Sequence, residues 1–235
     1  MNLTKTLAVI AAFAGLLCTS AQATPVNLVT NGGFETVSSY GQIKSNVAGW
    51  TTTGYNFVFA ANGGDNNSYL NLWGPRDGSA NGLGASPMGG NYIGADGNYG
   101  VGALTQTING LVIGQSYNLS FYWAAAQQAG FRGLNTEQWI VSLGNQTLST
   151  AVYNNADQGF SGWMAQTFTY TATSTSEVLS FLARGTPTGE PPFSLLDGVS
   201  LTANVPEPSS TALFLGGLVL LGCAVRARRR AGKAK

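Results

Sequence analysis

Residues 117–123 read Tyr117-Asn118-Leu119-Ser120-Phe121-Tyr122-Trp123. Large apolar side chains at 117, 119, 121 and 123 alternate with 118, 120 and 122, and period two is the pattern of a strand with one buried face. The alternation returns in Met164-Ala165-Gln166-Thr167-Phe168-Thr169-Tyr170. Gln138-Trp139-Ile140-Val141-Ser142-Leu143 reads as another strand, closed by Gly144-Asn145, and residues 178–182 continue the series. In the last candidate Phe193, Leu195, Val199 and Leu201 share one parity, and Asp197 falls on it too. Asn-Gly pairs at 31–32, 62–63, 81–82 and 109–110 supply turns, because both residue types accept positive φ. The stretch from Gly74 to Gly102 reads as loop with one short strand around Asn91-Tyr92-Ile93. Strand runs between turn signals predict an all-β sandwich or barrel in a single domain without internal repeats.

The two ends differ from this middle. Lys5, the apolar run 7–17 and Ala21-Gln22-Ala23 have the form of a secretory signal peptide over residues 1–23, cleaved after Ala23. At the other end Val205-Pro206-Glu207-Pro208 leads into the uncharged run 211–225 and then Arg226-Ala227-Arg228-Arg229-Arg230. Fifteen residues reach only about 22 Å as a helix, against a hydrocarbon core of about 30 Å. Such a transmembrane helix suits a transient hold, with its basic tail kept on the cytoplasmic side.

Composition removes several function classes. The 235-residue chain has no histidine, which excludes Ser-His-Asp and Cys-His catalysis and any His-ligated metal. Charged residues are 9%, against about 25% in ordinary soluble proteins. Between residues 24 and 204 there are four basic and nine acidic residues, a net charge of −5. An acidic surface does not bind nucleic acid. Cys18 and Cys223 both lie outside that span, so the exported domain has no disulfide and is held by its core alone.

Pro206-Glu207-Pro208, the glycine-containing apolar span and the arginine-rich tail together resemble the PEP-CTERM sorting signal of certain Gram-negative bacteria. That resemblance implies recognition by an exosortase-type processing enzyme, removal of the tail (residues 205–235 being the signal), and delivery to the cell surface or extracellular matrix. A plain single-pass anchor is the bland alternative. A second resemblance covers residues 24–204. Asn27-Leu28-Val29-Thr30-Asn31-Gly32-Gly33-Phe34-Glu35 with Ala48-Gly49-Trp50-Thr51 looks like the opening of galactose-binding-like jelly rolls. Phe193-Ser194-Leu195-Leu196-Asp197-Gly198-Val199-Ser200-Leu201 looks like their closing strand. The expected fold is therefore a single jelly-roll β-sandwich of the kind many carbohydrate-binding modules share.

In that family carboxylates near these two motifs often hold a structural Ca²⁺, which singles out Glu35 and Asp197 here. The family's closing strand often reads Asp-Asp-Val, whereas this chain has Gly198 at the second position. The alternative is a carboxylate satisfied by turn amides, and both readings stand. Asp96, near Asn98, is a weaker oxygen ligand or a turn residue.

Aromatic rings stack on pyranose faces, so the five tryptophans matter for a glycan site. Trp73 precedes Gly74-Pro75-Arg76-Asp77, at a strand end beside a charged loop. With Tyr55, Asn71, Arg76 and Asp77 it forms a candidate ligand-binding platform. Trp123 belongs to the core by parity, and Trp50, Trp139 and Trp163 fit either place. No P-loop, dinucleotide fingerprint or Gly-x-Ser-x-Gly elbow is present, and no motif pairs two of the scattered acids for glycoside hydrolysis. The sequence thus points to a non-catalytic, exported protein that binds or organises extracellular polysaccharide in a biofilm matrix. A secreted glycan-degrading enzyme and a purely structural matrix protein are the alternatives.

Overall fold

The computed structural model describes residues 25–65 and 70–204. The expected signal peptide, residues 1–23, and residues 205–235, with Pro206, Glu207, Pro208 and the apolar run, lie outside the described residues. Among the described residues no helix is long and apolar enough to cross a membrane.

The described residues form twelve strands: β1 (Gly41–Gln42), β2 (Thr51–Thr52), β3 (Asn56–Phe59), β4 (Tyr92–Asp96), β5 (Leu104–Asn109), β6 (Ser116–Gln127), β7 (Asn135–Leu143), β8 (Gln146–Ser149), β9 (Tyr153–Asn155), β10 (Met164–Thr171), β11 (Ser176–Thr186) and β12 (Pro192–Ala203). One sheet has the order β1-β3-β4-β12-β6-β10 and the other β2-β5-β11-β7-β8, with β9 also pairing β7. All pairings are antiparallel. Sequence neighbours repeatedly cross from one sheet to the other, which makes the architecture a jelly-roll sandwich.

The inward residues of both sheets meet in the main core. Tyr117, Leu119, Phe121 and Trp123 of β6 face it, as their alternation requires. They oppose Trp139, Val141 and Leu143 of β7 and Leu179 and Phe181 of β11. Phe181 is central, meeting Trp50, Phe121 and Trp139 edge-on at 6.3, 5.2 and 5.9 Å between ring centroids. Trp50 and Trp139 are core residues, each tied by its indole N–H to a backbone carbonyl, Asn31 and Leu195 respectively.

A second apolar cluster covers the outer face of the first sheet. Phe57, Phe59, Tyr92, Ala124, Ala126, Phe193 and Leu195 pack there under Leu70, Leu72 and Leu83. Those three leucines come from the long connection between β3 and β4, which lies over the sheet as a lid. The central strands β4 and β12 are consequently buried on both faces.

One expectation about β12 is corrected. Phe193 and Leu195 belong to the outer cluster, whereas Val199 and Leu201 belong to the inner core. The register against β6 slips between Asp197 and Ser200, inserting one extra residue. Gly198 sits in this bulge with φ of 62°. A bulge reverses the facing of everything beyond it, so shared parity in sequence becomes opposite faces in space.

Candidate functional site

The β6–β7, β9–β10 and β11–β12 connections gather at one end of the sandwich, and part of the β3–β4 lid joins them. Trp73 N–H donates to the carbonyl of Gln127 at 2.8 Å, and Ala129 N–H to that of Asn71 at 2.9 Å. Gln128 N–H donates to Pro191 at 3.2 Å. Ser79 Oγ donates to the carbonyl of Gln158 at 2.9 Å. This apex carries the expected platform.

Trp73 is half-buried, and two contacts hold its ring. Its Nε1 donates to the carbonyl of Phe131 at 2.6 Å. The Arg132 guanidinium carbon lies 5.4 Å from the ring centroid, a cation–π distance. Arg132 in turn reaches Asp157, with Nη1 3.8 Å from Oδ2. Gly133 N–H donates to the other Asp157 oxygen at 2.8 Å, and this is the first cause holding the Asp157 carboxyl below its ordinary value. In the same loop Asn71 Nδ2 donates to Asp77 Oδ1 at 3.1 Å. Arg76 is exposed, and its backbone N–H donates to Asp65 Oδ1 at 2.8 Å.

Four of the five platform residues therefore share one loop, and Tyr55 stands apart. Its ring meets Phe57 and Tyr99 edge-on at 4.6 and 5.4 Å. It leads into β3, three strand spacings or about 14 Å from β6 across the sheet. Phe131 and Arg132, which the sequence reading did not name, contact the Trp73 ring. Both come from the β6–β7 loop, Phe131 being 58 residues from Trp73 in sequence, and only the flanking Gly130 and Gly133 hint that they are displayed on a turn.

Trp163 is half-buried against Tyr92 and Phe160, with its Nε1 donating to Gly84 at 3.3 Å. It pins the lid. Trp123 is core, as expected. Asp96 is a turn residue, its Oδ1 accepting from the N–H groups of Asn98 and Tyr99 at 2.8 and 2.9 Å.

Glu35 and Asp197 are brought together near the lid. A Cβ on Gly33 would lie 3.9 Å from both Asp197 Oδ1 and Glu35 Cγ. Asp197 is fully buried. Ser86 Oγ donates to its Oδ2 and Gly198 N–H to its Oδ1. Its carboxyl is pushed up to about 6 by burial first, with the Glu35 charge adding to the rise and the two hydrogen bonds opposing it. Glu35 Oε1 accepts from Asn91 N–H at 2.8 Å, and a Cβ on Gly90 would fall 1.9 Å from that oxygen. Among the described residues no three Asp, Glu or Cys side chains converge as a metal cluster. The pair offers two carboxylates, and carbonyls would have to complete any Ca²⁺ shell.

Residues 204–230 match the PEP-CTERM protein-sorting motif. No curated protein matches the chain. Among solved structures the chain is similar to a CBM61 module in complex with β-1,4-galactotriose, at TM-score 0.44 and 17% identity over 76% of this chain and 99% of that one. It is also similar to the CBM22-1 xylan-binding domain of Xyn10C from Paenibacillus barcinonensis, at TM-score 0.40 and 14% identity over 78% and 97%. The K3 cleaved adhesin domain of Lys-gingipain from Porphyromonas gingivalis gives TM-score 0.41 and 12% identity over 70% and 98%. Behind its all-β sandwich, the chain carries a PEP-CTERM protein-sorting motif, the mark of an exported protein held transiently at a membrane.

Proposed function

We propose that this is a non-catalytic surface or matrix protein of a Gram-negative bacterium, processed by an exosortase-type enzyme, that binds extracellular polysaccharide at the Trp73 apex. The observation that carries the reading is the clamped ring of Trp73, held by Phe131 and Arg132. A ring fixed before binding loses little freedom when a sugar stacks on it.

The direction of the last strand supports this reading. β12 starts at the apex, where Pro192 pairs with Gln127, and ends where Ala203 pairs with Tyr117. Eleven residue steps of about 3.3 Å separate the two ends by roughly 36 Å. The sorting motif follows at residue 204, so a tethered chain presents Trp73 away from its anchored end. Residue 28 pairs with Leu201 by a backbone hydrogen bond of 2.9 Å, which brings the start of the described chain to the same far end.

A structural Ca²⁺ at Glu35 and Asp197 is the second element of the proposal. A buried carboxylate beside another acid is costly unless a cation joins them. The ion would tie the opening segment to the closing strand through the lid. Affinity electrophoresis tests the main reading: the full-length chain, in a zwitterionic detergent without sugar headgroups, is run through gels containing the producing organism's exopolysaccharide. Retardation that grows with polymer concentration supports it, and unchanged migration contradicts it.

A further inference from the structure

The end of the sandwich opposite Trp73 gathers the β5–β6, β7–β8 and β10–β11 turns, together with the end of β12. Two of these turns are built of small polar residues, Gly144-Asn145 and Thr173-Ser174-Thr175. The third displays Val112 and Ile113, which are 62% and 64% exposed. Its backbone is fixed. Leu111 N–H donates to Thr175 at 3.2 Å, Val112 N–H to Tyr117 Oη at 2.9 Å and Gly114 N–H to Ala172 at 2.8 Å. Gln115 N–H closes the turn on the Val112 carbonyl at 3.0 Å, with Gly114 at φ 80°. This is the pattern of a type II turn with Ile113 at its corner, where proline or a polar residue is usual. Leu111 already fills the core beneath, so the two outer side chains are displayed without a packing reason.

The chain leaves the domain beside this tip. Asn204 N–H donates to Ser116 at 2.8 Å, and Gln115 Nε2 to the Asn204 carbonyl at 2.9 Å. The apolar run 211–225 follows after six residues, which span at most about 22 Å fully extended. While that run is held in a membrane, the tip stays within reach of the bilayer surface. The same end is uncharged. Among the described residues the three turns hold no ionisable side chain, and Glu177 just beyond them is turned inward at 6% exposure. Its Oε1 accepts from Thr173 N–H and Oγ1, each at 2.7 Å, and from Ser174 N–H at 2.9 Å. Arg76, Arg132 and Asp157 stand at the opposite end. Bringing the Val112–Ile113 end to lipid therefore desolvates no exposed charge.

We propose that the Val112–Ile113 turn rests on the lipid surface of the membrane that holds the sorting segment, seating the domain upright with Trp73 pointing away. The inference rests on that transient hold and is independent of sugar binding. Two aliphatic side chains are a weak membrane contact, since even a single myristoyl chain binds only marginally, with an association constant of about 10⁴ M⁻¹. A short tether raises the effective concentration to about the millimolar range, so the contact forms while the tail is attached. Removal of the tail returns the tip to its own weak affinity, and the domain leaves the membrane.

The test is spin-label accessibility. The full chain is exported from a host without the processing enzyme, so that the tail stays attached, and is reconstituted in vesicles of phosphatidylethanolamine and phosphatidylglycerol. Cys18→Ser and Cys223→Ser clear the background, and a nitroxide is attached after Ile113→Cys or, at the opposite end, Leu134→Cys. Leu134 is 74% exposed and matches Ile113 in apolar character. Oxygen concentrates in lipid and a nickel chelate in water. The proposal expects the oxygen-to-chelate accessibility ratio at position 113 to stand several-fold above that at 134. Adding Val112→Glu, at a site already in water, should return position 113 to the ratio of 134. Equal ratios in chains that float with the vesicles overturn the proposal and leave the membrane hold standing. Low access of both reagents at 113 would mean that a protein covers the turn, which also overturns it. A lipid-like ratio that survives Val112→Glu would show the nitroxide seeking lipid by itself, and contradicts it too. A chain that does not float removes the membrane hold, and this inference with it.

Discussion

Asp197 and Val199 are two residues apart on one strand and face opposite sides of it. Asp197 reaches out to Ser86 in the lid, whereas Val199 packs into the inter-sheet core. Gly198 makes this possible by occupying the left-handed region at φ 62°. A Cβ there would also meet Met88 Cγ at 2.6 Å. Gly198→Ala is therefore expected to destabilise the fold by about 1–2 kcal/mol, since a left-handed non-glycine residue costs that much. Urea unfolding checks it, and an unchanged midpoint would show that the bulge is not needed.

Phe181 joins three aromatic rings from different segments, Trp50, Phe121 and Trp139. The described fold has no disulfide, so this packing carries much of its stability. Phe181→Ala is expected to cost about 3–5 kcal/mol. A loss under about 1 kcal/mol would mean that the core collapses around the gap.

Burial pushes the Glu137 carboxyl from 4.5 to about 9, against the weak opposing contact from Asn155. The folded protein thus keeps a proton that the unfolded chain releases above pH 4.5. Wherever the folded state binds more protons, stability falls as pH rises. The contribution is whole below the unfolded value and declines toward pH 9. Glu137→Gln removes this slope. Its melting temperature relative to the parent should rise between about pH 4 and pH 8, and parallel melting curves across that range would contradict the assignment.

Calcium has its own signature. If the ion joins Glu35 to Asp197, calcium at 100 times its dissociation constant stabilises the fold by about 2.7 kcal/mol. Thermal melts should shift upward with calcium in the parent and not in Asp197→Asn. An equal shift in both would place the ion elsewhere, and no shift in the parent would remove it from the account.

The long strands were legible because they are long enough to show a period. β6, β7, β10 and β11 alternate over most of their lengths, and β4 stands within the glycine-rich stretch where it was expected. Strands of two to four residues such as β1, β2 and β8 show no period to read. The facing of Phe193 and Leu195 was misread because a bulge leaves no mark in residue spacing. Trp73, Arg76 and Asp77 could be grouped as chain neighbours, with Asn71 close by. Arg132 reaches the Trp73 ring through strand pairing between distant segments. Tyr55 was drawn into the platform by nearness in sequence, and the sheet order carries it away.

Glycan binding at the Trp73 apex is tested most directly by titrating the full-length chain with the producing organism's own exopolysaccharide, followed by calorimetry, for the parent, Trp73→Ala and Tyr55→Ala. The account predicts saturable binding by the parent, a loss of about 1–3 kcal/mol in Trp73→Ala, the scale of one aromatic stacking contact, and little change in Tyr55→Ala. Binding that survives Trp73→Ala unchanged, or no saturable binding by the parent, would contradict it.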